Sequence, residues 1–298
     1  MSTASPSVFS GVNTAIVTPF RDGRVDESAF RALVQRQLAG GVHGLVPCGT
    51  TGEAPTLTVA EHVEVVRWTV EEAAGRVPVM AGIGSNNTAQ AIETAKRTQD
   101  LGVQGVLATA PYYNKPTPEG LRQHFLAIAE AVEVEVCVYD VPGRTAVKVP
   151  VSTIAQLAEH PRITAVKDAT GDLSNAAELR RLGGAGAELR LLSGDDFTLL
   201  PFWAVGGDGC ISVLSNLVPA AVVHLHTLMQ QGELAAARTA FFRMLPTVRA
   251  LFLESNPAPI KAALARHGLC SEELRLPLVG LRAETRAALY AAMDGLED

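Results

Sequence analysis

Eight short apolar runs, each followed by a segment with helical spacing, constrain this chain of 298 residues more than any other feature. They are NTAIVTPF (13–20), HGLVPC (43–48), VPVMAGI (77–83), QGVLATA (104–110), VEVCVYD (134–140), ITAVKDA (163–169), LRLLSG (189–194) and GCISVL (209–214). Each is rich in Val, Ile, Leu or Ala, as expected for parallel strands covered on both faces. Strand–helix alternation repeated eight times predicts an α/β fold, a (β/α)8 TIM barrel. An open doubly wound sheet is the competing arrangement, but the first turn carries no GxGxxG.

The intervening segments have recognisable helix ends. Phe30, Leu33, Val34 and Leu38 follow the 3–4 spacing, and Gly40-Gly41 stops that helix. Thr58 and Glu61 form a capping-box pattern ahead of His62–Ala74, with Gly75 as the stop. Thr117-Pro118 opens a helix with proline in its favoured first turn, and Asp100-Leu101-Gly102 closes another. After residue 232 the strand pattern ends. ELAAARTAFFRMLPTVRALFL, APIKAALARHG and AETRAALYAAM predict helices. The expected division is a catalytic barrel over 1–232 and a helical domain over 233–298.

Composition narrows the function classes. At 47% hydrophobic residues the chain can bury a large core, and a net charge of −6 argues against a nucleic-acid partner. The N-terminal MSTASPSVFSG has no basic-then-apolar signal pattern, and no apolar run reaches the ~18 residues that span a bilayer. A soluble, cytoplasmic protein without a membrane partner is expected. Cys48, Cys137, Cys210 and Cys270 form no CxxC pair, so burial is expected rather than disulfide or zinc chemistry. His224 and His226 form an HxH, but in a helix their side chains point about 200° apart, which disfavours a shared metal.

Polar and glycine residues collect just after the strands, at the face where barrel active sites form. They include Gly49-Thr50-Thr51-Gly52-Glu53, Gly84-Ser85-Asn86-Asn87-Thr88, Pro111-Tyr112-Tyr113-Asn114, Tyr139-Asp140-Val141-Pro142-Gly143-Arg144 and Ser193-Gly194-Asp195-Asp196. Lys167 ends the sixth run; it is one of five lysines against twenty arginines, and it alone stands where a buried strand ends. Burying an ammonium costs several kcal/mol unless it is paired or loses its proton. At pH 7 an unperturbed lysine carries a free amine in roughly one molecule in 2,500, so an amine nucleophile needs a dry setting. An ion pair with Asp168 is the alternative. Gly49–Glu53 suits a small carboxylate, or is a tight turn with capping hydroxyls. Tyr139 is a proton shuttle beside an amine or a core tyrosine. Arg144 is a carboxylate fork or a solvated arginine. Tyr112-Tyr113 line a site or a subunit interface.

Together, the GTTGE, YDVPGRT and KDAT motifs, in this order, resemble the dihydrodipicolinate synthase and N-acetylneuraminate lyase family of class I aldolases. The resemblance runs from TAIVTPF to LRLPL. PYYNKP, Arg144 within VPGRT and ESNPAPIKAAL (254–264) favour the members that condense pyruvate with L-aspartate 4-semialdehyde. A sister lyase acting on sialic acid or a 2-keto-3-deoxy sugar acid is the alternative, and a non-catalytic binding barrel is a remoter one. The resemblance implies that Lys167 forms a Schiff base with pyruvate. It implies a proton relay of Thr50, Tyr113 and Tyr139, with Tyr113 serving a neighbouring subunit. Thr50 and Thr51 match the pyruvate-carboxylate cradle, Arg144 the semialdehyde-carboxylate ligand, and Ile211 a position whose backbone carbonyl faces pyruvate. No metal or cofactor is implied, since the imine nitrogen serves as the electron sink. A homotetramer built from dimers is implied. His62, Asn86 and Tyr112 match a regulatory lysine site. There Val59 and Gln90 replace the His and Glu of regulated relatives, so weak or absent lysine inhibition is expected. Asp140 stands where many relatives have Asn, and Asp168 where many have Glu.

Overall fold

The computed structural model describes residues 9–183 and 189–297. Most of the N-terminal MSTASPSVFSG lies outside them. The strands, in chain order, are β1 (Gly11–Ala15), β2 (Phe20–Arg21), β3 (Arg24–Val25), β4 (Gly44–Val46), β5 (Met80–Gly82), β6 (Gly105–Thr109), β7 (Glu135–Asp140), β8 (Ile163–Asp168), β9 (Arg190–Ser193) and β10 (Gly209–Ser212). The helices are α1 (Glu27–Ala39), α2 (Val59–Ala73), α3 (Thr88–Gln99), α4 (Pro118–Ala131), α5 (Pro142–Thr145), α6 (Val151–Leu157), α7 (Leu173–Gly183), α8 (Leu199–Ala204), α9 (Pro219–Gln230), α10 (Leu234–Leu251), α11 (Ala258–Arg266) and α12 (Ala283–Glu297). Among the described helices none is long and apolar enough to cross a membrane.

Seven of the eight expected runs enclose their strand. The first differs: β1 begins at Gly11 and ends at Ala15, and Ile16 and Val17 are buried without continuing it. The sequence reading passes over the β2–β3 hairpin. Its signal is present, because Asp22 (φ 53°) and Gly23 (φ 76°) both take the positive φ of a two-residue turn that pairs Phe20 with Val25.

Two compact units form. The first comprises residues 9–11 with Pro78–Ile211, the second Val12–Val77 with residues 212–297. In the first, strands pair in parallel in the order β10-β9-β8-β7-β6-β5. Their side chains are almost wholly buried, as parallel strands flanked by helices require. In the second, β1 pairs in parallel with β4. Eight parallel strands alternating with helices make this a (β/α)8 fold, followed by the C-terminal helices α10, α11 and α12.

Local chemistry sets the helix ends. Asp26 caps α1 by accepting from the Ala29 amide, and the Thr58–Glu61 capping box closes reciprocally on α2. Helix α2 stops one residue before the expected glycine: Ala74 itself takes the left-handed conformation (φ 47°). In α1 it is Gln37, not Leu38, that is fully buried, with its amide oxygen accepting from the Thr14 hydroxyl at 2.9 Å. Cys48, Cys137 and Cys210 are buried thiols outside any disulfide, and Cys270 is half-buried. On α9 His224 is exposed while His226 is buried against the His43 ring.

Within the second unit, α11 is tied to the turn that follows β4 by a buried ion pair. Lys261 and Glu53 are both 0% exposed, with Nζ 2.7 Å from Oε1. Nζ also donates to the Thr18 carbonyl at 3.0 Å and lies 4.3 Å from the Phe20 ring centroid. The second Glu53 oxygen accepts from the Arg275 amide at 3.2 Å. Burial pushes the Lys261 ammonium down from its ordinary value, and Glu53 pulls it back. Removing one member of such a pair leaves a dry uncompensated charge. Lys261→Met should therefore cost about 3–5 kcal/mol in a denaturant titration. Adding Glu53→Gln should recover part of that loss; a double variant less stable than Lys261→Met would contradict the ion-pair account.

Candidate active site

Lys167 and Tyr139 are cross-strand partners on β8 and β7. Successive residues of a strand face opposite ways, so paired residues share a face. Both side chains are buried, at 6% and 5% exposure, and Lys167 Nζ lies 4.1 Å from the Tyr139 ring centroid. The electron-rich face of a phenol favours an adjacent cation. Room for the lysine stem comes from Gly194: a Cβ there would lie 2.8 Å from Lys167 Cε and 3.1 Å from Cγ. The amine is thus held by an aromatic ring in a slot that only glycine leaves open.

The alternation that brings Tyr139 and Lys167 together sends Asp140 and Asp168 the other way. Asp168 Oδ1 accepts from the Thr170 amide at 2.8 Å and hydroxyl at 2.7 Å. Asp140 Oδ1 accepts from the Val149 amide at 3.2 Å. Burial, with the Asp168 carboxylate adding repulsion, pushes the Asp140 carboxyl up to about 7, while the Val149 amide works against it. Burial also raises Asp168.

In the second unit the Gly49–Glu53 turn is closed by its own amides. Gly52 N donates to the Gly49 carbonyl and Glu53 N to the Thr50 carbonyl, each at 3.1 Å. The Thr18 hydroxyl donates to the Gly52 carbonyl at 2.8 Å. Glu53 takes a left-handed φ of 53°, strained for a residue with a Cβ, and is held there by Lys261 and Arg275. Thr51 is buried and Thr50 half-buried. The Asn256 side-chain amide donates to Thr51 Oγ1 at 2.9 Å.

The other expected residues are placed as follows. Arg144 is exposed on the short helix α5. Ile211 is buried on β10 at 1% exposure. Tyr113 takes a positive φ of 71° and is 88% exposed, while Tyr112 is 39% exposed. Asn114 reaches from this loop to the Asn86 carbonyl at 2.9 Å. His62 is half-buried on α2 and Val59 exposed at its first position. The Gln90 side chain accepts from the Ser85 hydroxyl at 3.0 Å. Sequence reasoning does not single out Glu53, Asn256 or Lys261. The available signal for Lys261 was a lone cation amid Ile260, Ala262, Ala263 and Leu264, on a helix with no polar face to receive it.

Comparison with known proteins places this geometry. The model of the dihydrodipicolinate synthetase family matches residues 8–295. A 4-hydroxy-tetrahydrodipicolinate synthase of Pelobacter propionicus is 47% identical over 286 residues, covering 96% of this chain and 98% of that one. The crystal structure of dihydrodipicolinate synthase from Thermotoga maritima superposes with a TM-score of 0.96 at 39% identity, covering 98% of this chain and 99% of that one. The dihydrodipicolinate synthase from Acinetobacter baumannii complexed with pyruvate gives a TM-score of 0.94 at 38% identity over 98% and 99% of the two chains.

Asp140 gives a pH-dependent expectation. Its native carboxyl is raised above the ordinary value of 3.8 to about 7. Between those values the folded state binds the proton more tightly than the unfolded chain. The stabilisation is fully present below about pH 4 and is lost as pH rises through 7. Asp140→Asn keeps an acceptor for the Val149 amide and removes the charge. It should raise Tm by roughly 3–8 °C at pH 8 and by much less at pH 5. Equal shifts at both pH values in thermal melts would contradict the assignment.

Proposed function

The chain belongs to the dihydrodipicolinate synthetase family, and we propose that it condenses pyruvate with L-aspartate 4-semialdehyde to give 4-hydroxy-tetrahydrodipicolinate. The observation that carries this reading is the buried Lys167 amine packed on the Tyr139 ring. A pyruvate complex of a relative 38% identical to this chain agrees with it. The product feeds diaminopimelate and lysine synthesis, which makes the chain a cytoplasmic biosynthetic lyase.

In the proposed mechanism the neutral Lys167 amine attacks the keto carbon of pyruvate. Tyr139, working with Thr50 and Tyr113, carries protons to the departing oxygen, which leaves as water. Thr50 and Thr51 hold the carboxylate, beside the Ile211 carbonyl. Loss of a methyl proton from the imine gives an enamine, with the electron pair drawn toward nitrogen. The enamine carbon attacks the aldehyde carbon of the semialdehyde, whose carboxylate Arg144 binds through its guanidinium. The semialdehyde amine then adds to the imine carbon, closes the ring and expels Lys167. Electron demand is met by the imine nitrogen, so the cycle needs no metal or cofactor.

This reading assigns residues 1–232 to the catalytic barrel and 233–298 to the helical domain. The exposed Tyr113 ring suits a homotetramer in which it serves a neighbouring copy's site. His62, Asn86 and Tyr112 then mark a regulatory lysine site weakened by Val59 and Gln90.

A two-substrate assay tests the reading. Pyruvate with aspartate semialdehyde should give the cyclic product, and N-acetylneuraminate and 2-keto-3-deoxy sugar acids should not be cleaved. Arg144→Ala should raise KM for the semialdehyde about ten- to a hundred-fold, the value of a hydrogen-bonded charge, with pyruvate binding largely kept. Efficient cleavage of a sugar acid without condensation would replace this reading with the sister-lyase one.

A further inference from the structure

Arg144 stands on a segment that leaves β7 at Asp140 and returns to it. The Val149 amide donates to Asp140 Oδ1 at 3.2 Å, nine positions on. Within the segment the bonds are local. The Arg144 and Thr145 amides donate to the Val141 carbonyl, and the Thr145 hydroxyl donates to the Val147 carbonyl at 2.8 Å. Local bonds give a loop its shape; holding it in place beside the next strand takes a tie from a neighbouring element.

Lys148 supplies such a tie. Its Nζ donates to Asn175 Oδ1 at 3.1 Å, and Asn175 Nδ2 donates to Thr170 Oγ1 at 3.0 Å. An ammonium only donates, so the asparagine turns its oxygen to Lys148 and its nitrogen to Thr170. The Asp172 amide also donates to Thr170 Oγ1, at 3.1 Å. With both lone pairs of that hydroxyl engaged, its proton goes to Asp168 Oδ1 at 2.7 Å. Asp168 follows Lys167 at the end of β8. A directed chain therefore runs from an ammonium on the Arg144 segment to a carboxyl on the lysine strand, and its charged ends strengthen the bonds between them. Asn175 and Asp168 are both buried, which shelters the inner links. The Lys148–Asp172 ion pair, 3.7 Å long between half-exposed side chains, contributes little by comparison. All of these residues lie in the first unit, within Pro78–Ile211.

We propose that Lys148 and Asn175 are positioning residues for the aldehyde substrate: through Thr170 and Asp168 they hold the Arg144 segment against the end of the strand that carries Lys167. The inference rests on the functional reading above, in which Arg144 binds the semialdehyde carboxylate. It deepens that reading by separating the residues that set affinity for the second substrate from the amine that captures the first. Lys148 acts through the place of Arg144 and not by touching the substrate.

Steady-state kinetics on variants of the chain test this. Asn175→Leu matches asparagine in size and breaks both of its bonds, while Lys148→Met keeps the length of the side chain and removes the donor. Each should raise KM for aspartate semialdehyde roughly three- to ten-fold, the size of one net hydrogen bond, with a smaller change in kcat. Hydride trapping of pyruvate on Lys167 should stay at the unsubstituted level. Lys148→Arg, which still donates, should keep KM near that of the unsubstituted chain. Because both substitutions break one link, the double variant should be no worse than either single one, and in an Arg144→Ala chain neither should raise KM further. Additive effects, or a rise that persists without Arg144, would overturn the proposal. So would a rise in Lys148→Met with none in Asn175→Leu, which is the signature of charge steering. If Asn175→Leu does not fold, the exposed Lys148 still decides the matter: a Lys148→Met effect that vanishes at high salt is steering and refutes positioning. Condensation by the unsubstituted chain is measured first. Its absence would remove the functional reading and the inference with it, whereas condensation with an unchanged semialdehyde KM in both variants would remove the inference alone.

Discussion

Lys167 Nζ faces the Tyr139 ring at 4.1 Å on a side chain only 6% exposed, and the other features of the first unit arrange themselves around that contact. It needs two parallel strands in one register, so that residue 139 lies opposite residue 167. It needs a glycine at 194, because any side chain there would meet the lysine stem. It also needs neighbours that do not neutralise the amine with a carboxylate. Strand alternation meets this last demand by turning Asp140 and Asp168 to the opposite face.

The second unit contains the contrasting case. Lys261 is more deeply buried than Lys167, yet it is engaged by Glu53, the Thr18 carbonyl and the Phe20 ring. A paired ammonium in a dry site is held as a cation and is a poor nucleophile. Its role is mechanical: it holds Glu53 in a left-handed conformation at the end of the Gly49–Glu53 turn. Under the proposed function the two buried lysines take opposite chemical parts, and what distinguishes them structurally is the Glu53 carboxylate that accompanies Lys261.

Much of this was legible in the sequence, for physical reasons. Parallel strands covered on both faces read as unbroken apolar runs, so the strand positions and the (β/α)8 class emerged from composition along the chain. Caps with a local mechanism were also legible, as at Thr58–Glu61. Lys167 stood out because a cation at the end of an apolar strand is costly. What the sequence hid depends on contacts between distant positions. Asn256 and Thr51 are 205 residues apart, and Lys261 and Glu53 are 208 apart; neither spacing leaves a periodic signature. The raised carboxyl of Asp140 likewise depends on burial and on a cross-strand neighbour, Asp168, that only the strand register reveals. The β2–β3 hairpin is a different failure, since its Asp-Gly turn was present and was overshadowed by the longer parallel pattern.

The central claim is that Lys167 is the residue that captures the keto acid. Incubating the protein with pyruvate, reducing with borohydride and mapping the product by peptide mass spectrometry tests it most directly. The account predicts one reduced pyruvate adduct per chain, on the peptide carrying Lys167, and none in Lys167→Ala. An adduct on Lys261 or any other lysine, or an adduct that persists in Lys167→Ala, would contradict it.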